Sequence, residues 1–219
     1  MAKDRLNGVD AFHDEDTRKA EDTSTDDDTV DENENSNEDG ANDCTQIRAM
    51  LEANPFLKWG FVVYRCTYAS DTAWKNFMEH LNKRVMLTLQ RDGNEDLFER
   101  LDWCVQEDPT LEDVSEREVR ARFKTWIAES GEEDDWLGSP RFAACVMVEE
   151  DHVESVAKGP PPEVFDVHGE GHVTLVSLDE EEDVTFVGLS YLVPRVYALL
   201  DIGWEAFARD PDEGEVVCL

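Results

Sequence analysis

Arg65 stands inside the most apolar stretch of the chain, Trp59 to Tyr68 (Trp-Gly-Phe-Val-Val-Tyr-Arg-Cys-Thr-Tyr), where a guanidinium could clamp a carboxylate or a phosphate. An ion in a half-buried layer is costly unless a partner meets it, so the alternative is a structural ion pair with one of the chain's many carboxylates. Arg117, Arg120 and Lys124 recur at i, i+3 and i+7, and a helix would line them up as one basic stripe able to dock an acidic partner or an anionic metabolite. Glu116 stands four residues before Arg120 and Glu118 four before Arg122, the favoured order for helical ion pairs, which offers a structural use for the same face.

Other constellations carry less. His168 and His172 flank Gly-Glu-Gly, but two glycines oppose a helix, and neither Cys nor a third His stands at ligand spacing. The segment reads as a turn, and neither metal nor cofactor is expected. Asp210-Pro211-Asp212-Glu213-Gly214 begins like a calcium loop, which needs Gly at its sixth position and a bidentate Glu at its twelfth; the residues that follow do not supply them. Cys66, Cys104 and Cys145 lie within apolar runs and the five cysteines are odd in number, so they read as reduced thiols packed as small hydrophobes. The sequence has no P-loop, no G-x-S-x-G elbow and no G-x-G-x-x-G. A Cys followed by five residues and Arg is absent too, because positions 72, 110 and 151 are Thr, Thr and Asp. Trp74, Trp103 and Trp126 fall on apolar faces and read as core.

The elements that must position these residues follow from periodicity. A short amphipathic helix runs from Cys44 through Ile47, Met50 and Leu51 and closes before Pro55. Trp59 to Tyr68 alternates Phe61, Val63, Arg65 and Thr67 with Val62, Tyr64, Cys66 and Tyr68, apolar on both faces as an interior strand is. Ser70 or Asp71 caps a helix with Trp74, Phe77, Met78, Leu81, Val85 and Leu89 on one face. Leu101 to Gln106 is a second strand. Ser115-Glu116-Arg117-Glu118 is a capping box, with Val114 able to staple to Val119, and it opens a helix burying Val119, Phe123, Trp126 and Ile127. Phe142 to Val148 is a third strand, Val153 to Ala157 a helical turn, and Gly159-Pro160-Pro161-Pro162 an extended connection. Val173 to Leu178 and Val184 to Leu189 form a hairpin around the acid run Asp179 to Asp183, and Val193 to Leu200 is a helix with Pro194 in its first turn. This order gives a single α+β domain over 44–219, one mixed sheet with helices mainly on one face, for which ferredoxin-like topology is the variant expected first.

Charge restricts the partners. Fifty-three Asp and Glu face 20 Lys and Arg, a formal net charge of −33. Met1 to Asp43 holds 16 of the acidic and 4 of the basic residues, with almost no large hydrophobes, and reads as a disordered acidic tail. Thr23, Ser24 and Thr25 precede Asp26, Asp27 and Asp28, which resembles an acid-directed kinase site. The remaining residues are acidic in their own right. Such a surface repels phosphate backbones and anionic membranes, so neither direct nucleic-acid binding nor membrane binding is expected. Neither a signal peptide nor a window near the roughly 18 to 20 apolar residues of a membrane span is present, and Cys218 is not placed for prenylation. An intracellular location, cytoplasmic or nuclear, is expected.

The block Trp59-Gly-Phe-Val-Val-Tyr-Arg-Cys-Thr-Tyr68, followed by Trp74, Phe77 and Leu81, then Val119-Arg120 with Phe123 and Trp126, then Phe142 to Val148, resembles a widespread group of uncharacterised fungal proteins. The likeness covers about Lys58 to Trp204, more loosely around Ser190-Tyr191, Pro194 and Tyr197. It implies an intracellular or nuclear fungal protein and brings no activity with it. Composition and motifs together point to a non-enzymatic module that binds another protein. The alternative is a small-molecule binder or enzyme with an anion pocket around Arg65 and Arg120, using Tyr64 or Cys66. A third is an acidic decoy for a nucleic-acid-binding protein.

Overall fold

The computed structural model describes residues 32–53, 55–131, 139–210 and 213–219, with side chains from residue 42 onward. Cys44, Ile47 and Leu51 form the buried face of α1 (Glu32–Ala53). The helix begins ahead of the expected start at Cys44, and Asp43 is already part of the packed body: it is 4% exposed and its carboxylate accepts from Arg195 Nη1 at 3.1 Å. Residues 1–31 of the expected acidic tail lie outside the described residues.

β1 (Val62–Arg65) is buried on both faces. The Ser70 hydroxyl accepts the Ala73 N–H and opens α2 (Asp71–Arg91), whose buried residues Trp74, Phe77, Leu81, Val85 and Leu89 keep the expected period. β2 (Cys104–Gln106) follows. Ser115 then caps α3 (Glu116–Glu129) through the Glu118 N–H. The third predicted strand loses its first residues to α4 (Pro140–Ala143), and β3 runs Ala144–Val148. The helical turn expected at Val153 is α5 (Glu150–Lys158), and the expected hairpin is β4 (His172–Ser177) with β5 (Val184–Gly188). Two short turns, α6 (Leu189–Tyr191) and α7 (Tyr197–Leu199), flank a segment where Val193 is extended and the Val193–Pro194 peptide is cis. Pro194 therefore lies at a kink and not in the first turn of a regular helix. β6 (Val216–Val217) closes the sheet.

The strand order is β2-β1-β3-β4-β5-β6. β1 pairs parallel with β2 (Val63 opposite Val105) and with β3 (Val63 opposite Val146). β3 to β4 and β4 to β5 are antiparallel, and β6 runs parallel to β5. The fold is thus α+β with a mixed sheet, but the ferredoxin-like topology is corrected, since that arrangement makes all neighbours antiparallel. The reason lies in the connections: α2 returns β2 parallel beside β1, and α3, on the opposite face, returns β3 parallel on the other side of β1, with no strand inserted between either pair.

Phe61, Val63, Val146, Val148 and Leu175 lie under α1, α2, α5 and the C-terminal turns, with Trp59 and Phe61 edge-on to Tyr197 at 5.6 and 5.2 Å. Val62, Tyr64, Cys66, Cys145 and Met147 point to the other face, which Val119 and Phe123 of α3 cover. Helices therefore sit mainly on one face.

Gly60 sets the entry to β1. Its φ is +104°, and a Cβ there would stand 2.9 Å from the Asp102 carbonyl oxygen and 2.9 Å from a Leu101 methyl. Gly60→Ala is expected to lower stability by about 2 kcal/mol or more, since a positive φ and a backbone collision add. Urea unfolding of the purified variant, followed by tryptophan fluorescence, reads this directly; a midpoint equal to the wild type's would show that the strand entry relaxes freely.

Candidate functional site

Arg65 ends β1 on the α2 face, 5% exposed and fully engaged. Its Nη2 donates to Asp71 Oδ1 at 2.5 Å, its Nε donates to the Thr67 carbonyl at 2.9 Å, and Nη1 lies 3.6 Å from Glu107 Oε1. The guanidinium also covers the Tyr68 ring at 4.4 Å and the Trp74 ring at 5.3 Å, while Trp74 Nε1 donates to Glu107. One cation thereby ties the end of β1 to the end of β2 and the first turn of α2. This is the structural ion pair, not a clamp open to a ligand.

The α3 stripe is spent in the same way. Arg120 Nε donates to the Ser177 carbonyl at 2.7 Å, and Nη2 reaches the carbonyls of Glu182 and Asp183 at 3.4 and 3.3 Å. Lys124 Nζ pairs with Glu180 at 2.6 Å, and the exposed Arg117 adds its field at the same carboxylate. The basic stripe and the acid run of the hairpin are two halves of one contact. Arg65 and Arg120 lie on opposite faces of the sheet, so among the described residues the two side chains do not converge.

Two further arginines escaped the sequence reading. Arg84 is buried, and donates to the carbonyls of Pro160 and Val164 and to the Ser190 hydroxyl at 3.0, 2.8 and 2.8 Å. It holds the proline-rich connection onto α2, and it sits beside His80 Nε2, whose pKa is pushed down by burial and by this cation. Spacing carried the signal: Arg84 stands seven residues after Phe77 and three after Leu81, inside the buried stripe. Arg141 is 0% exposed, donates to the Gly60 carbonyl, the Asp102 carbonyl and Asp102 Oδ2 at 3.1, 3.0 and 2.7 Å, and stacks over Trp126.

α2 and α3 leave the parallel strands to opposite faces, so β1 and β3 flank a topological switch point, and ligands of α/β sheets favour the crevice outside the carboxyl ends of such strands. Here that crevice is anionic. The Glu149 carboxyl is half-buried and its pKa is raised by burial and by Asp151, Glu116 and Asp113 around it. The adjacent Cys66 thiol is pushed up to about 12 by burial and by Glu149. An anion would find repulsion where a binding loop would supply donors. Cys44 is also pushed up to about 12 and Cys145 well above its ordinary value, chiefly by burial, so these sulfurs stay protonated and unreactive at neutral pH.

No family model, curated protein or solved structure matches this chain.

The histidines divide as the turn reading expected for His168-Gly-Glu-Gly, with His172 beginning β4. His172 meets a partner the sequence did not announce, His152 of α5, ring to ring at 5.5 Å. His152 Nδ1 accepts the Glu149 N–H at 3.0 Å, so in the neutral ring the proton sits on Nε2, 3.3 Å from the Thr174 hydroxyl. Burial, then His172, push its pKa down to about 4. It is neutral at physiological pH. Among the described residues, no group of three or more His, Cys, Asp or Glu is placed to hold a metal, and no helix is long and apolar enough to cross a membrane.

Clefts among the described residues include three. One of about 490 Å³ lies between α1 and α7, and one of about 430 Å³ runs between α2 and α5, beside Pro161 and Pro162. The third, about 390 Å³, has Tyr64 as part of its wall and Glu107, Asp108, Arg122 and Glu129 around it. Its carboxylates and Arg122 are already engaged in part: Glu107 by Trp74 and Arg65, Asp108 by the Thr110 N–H, Arg122 by Glu118.

Proposed function

We propose that the chain is a non-enzymatic, intracellular protein-interaction module whose acidic surface docks a basic face of another protein. One observation carries this reading: Arg65, Arg84, Arg120 and Arg141 all turn inward onto carbonyls and carboxylates, so the charge left facing outward is negative. The crevice at the ends of β1 and β3, where a small ligand would be sought, is itself rimmed by Asp113, Glu116, Glu149 and Asp151. A field of that sign steers a basic partner and rejects nucleic acid. The intracellular setting agrees with five free cysteines, three of them buried, and with the resemblance to the fungal group.

The test is affinity capture from extract of the native host with the full chain as bait, at about 0.1 M and about 1 M salt, where the screening length falls from ~10 Å to ~3 Å. A specific partner with a basic surface is expected to be held at the lower concentration and released at the higher. Recovery of no specific partner, or retention unchanged by salt, overturns the proposal.

A further inference from the structure

Among the described residues, the groove between α1 and α7 is an apolar cleft that runs along the α1 axis. Ile47, Met50 and Ala53 of α1 face Leu57, Pro140 and Ala198 across about 490 Å³. Ser139 lines it, 5% exposed, and its hydroxyl has no hydrogen-bond partner among the described residues. Gln46 spans the groove, donating to the Ala198 carbonyl at 3.3 Å and to Asp201 at 3.0 Å, and leaves that carboxylate on the rim.

We propose that this groove is the docking site for a basic amphipathic helix of the partner protein, an inference that deepens the acidic-module reading and rests on it. Shape supports a helix. The α1 residues that line the groove are 46, 47, 49, 50 and 53, which include the i, i+3, i+4, i+7 series of one helical face, so the groove follows the α1 axis for about two turns, ~11 Å. A helix laid alongside presents its own apolar residues at the same spacing. Ala49 and Ala53 are exposed and small, so beyond the Gln46 bridge α1 puts nothing bulky at the edge of the groove.

Charge supports a basic one. Asp201 stands on the rim, and Glu52 is exposed on α1 next to Ala53, in a chain of net charge −33. A guest with Lys or Arg on its outer face gains from that field, whereas a second copy of this chain is repelled by it.

The experiment titrates the full chain with a fluorescein-labelled peptide of about 18 residues, five turns, with Leu on one face and Lys on the other. The double variant Ala49→Gln, Ala53→Gln fills the groove with long side chains at exposed positions that suit a helix, and Ala121→Gln on exposed α3 is the control. Affinity is expected to fall about tenfold in the double variant and to stay unchanged in the control, with unaltered melting in both. A peptide of the same composition without an apolar face is expected to bind at least about tenfold more weakly to the wild type. Equal affinity for wild type and double variant overturns the groove assignment. So does a Leu/Glu peptide that binds as well as the Leu/Lys one. A wild-type dimer that the double variant abolishes, seen by sedimentation equilibrium, would make a second copy the occupant and overturns it as well. If the Lys peptides bind in a salt-sensitive way but ignore the double variant, only the groove fails. If no Lys peptide shows salt-sensitive binding, the acidic-module reading fails with it.

Discussion

Arg141→Met is expected to destabilise the domain by about 3–5 kcal/mol, the cost of removing one partner from a buried, hydrogen-bonded charge. The guanidinium joins the entries of two strands. It is 0% exposed and reaches the Gly60 carbonyl, the Asp102 carbonyl and the Asp102 carboxylate, so it binds the residue entering β1 to the residue ahead of β2. Methionine fills much of the volume but donates nothing, and each buried carbonyl left unmet costs about 1–3 kcal/mol. The Asp102 carboxylate is half-exposed and keeps Lys58 at 3.6 Å, so it contributes less to the loss. Arg141→Lys is expected to recover only part, because an ammonium cannot match three acceptors with a planar fork. Arg122→Met provides the scale: its pair with Glu118 is solvent-exposed on α3 and screened by water, so its loss should move the midpoint far less. Urea midpoints of the three variants against wild type decide it, and Arg141→Met within about 1 kcal/mol of the wild type would show that water replaces the guanidinium.

That arginine also marks the limit of what the sequence discloses. Elements whose signal is local were legible: the alternation of Phe61, Val63 and Arg65 against Val62, Tyr64 and Cys66 is the observed division of β1 between two cores, and Ser70 and Ser115 cap the helices they announce. Pairing partners are not local. The stripe Arg117, Arg120, Lys124 and the acid run Asp179 to Asp183 each read as surface features, and only the tertiary structure sets Lys124 on Glu180 and Arg120 on the hairpin carbonyls. Arg141 gave no periodic signal because α4 is a single turn, and β6 is only two residues long, too short for alternation to register. Topology is not legible for a related reason: whether β2 and β3 return beside β1 depends on which face each crossover helix takes, and apolar stripes on α2 and α3 do not specify the face.

His152 is expected to make stability fall with acid by about 3 kcal/mol between pH 6.5 and pH 4. Its pKa is pushed from 6.5 down to about 4 in the folded chain by burial and the adjacent His172 ring, so above 6.5 the ring is neutral in both folded and unfolded states and the full contribution is present. As pH falls through 6.5 the unfolded chain takes up a proton that the folded chain refuses, and stability drops by about 1.4 kcal/mol per unit until the folded pKa is reached. The groups facing the ring are His172, Thr174 and Phe186 from the sheet and Glu149 and Asp151 from its own element; of these only Asp151 favours the charged form, and its effect is the smallest of the three acting on the ring. Acid also discharges carboxylates and relieves self-repulsion in a chain of net charge −33, which acts in the opposite direction. The two effects separate in His152→Asn, whose side-chain oxygen can still accept the Glu149 N–H but does not titrate. The gap in unfolding free energy between wild type and His152→Asn should therefore shift by about 3 kcal/mol against the wild type from pH 7 to pH 4. Parallel pH profiles for the two proteins would mean that the imidazole is solvated in the folded state and that α5 does not seal it against β4.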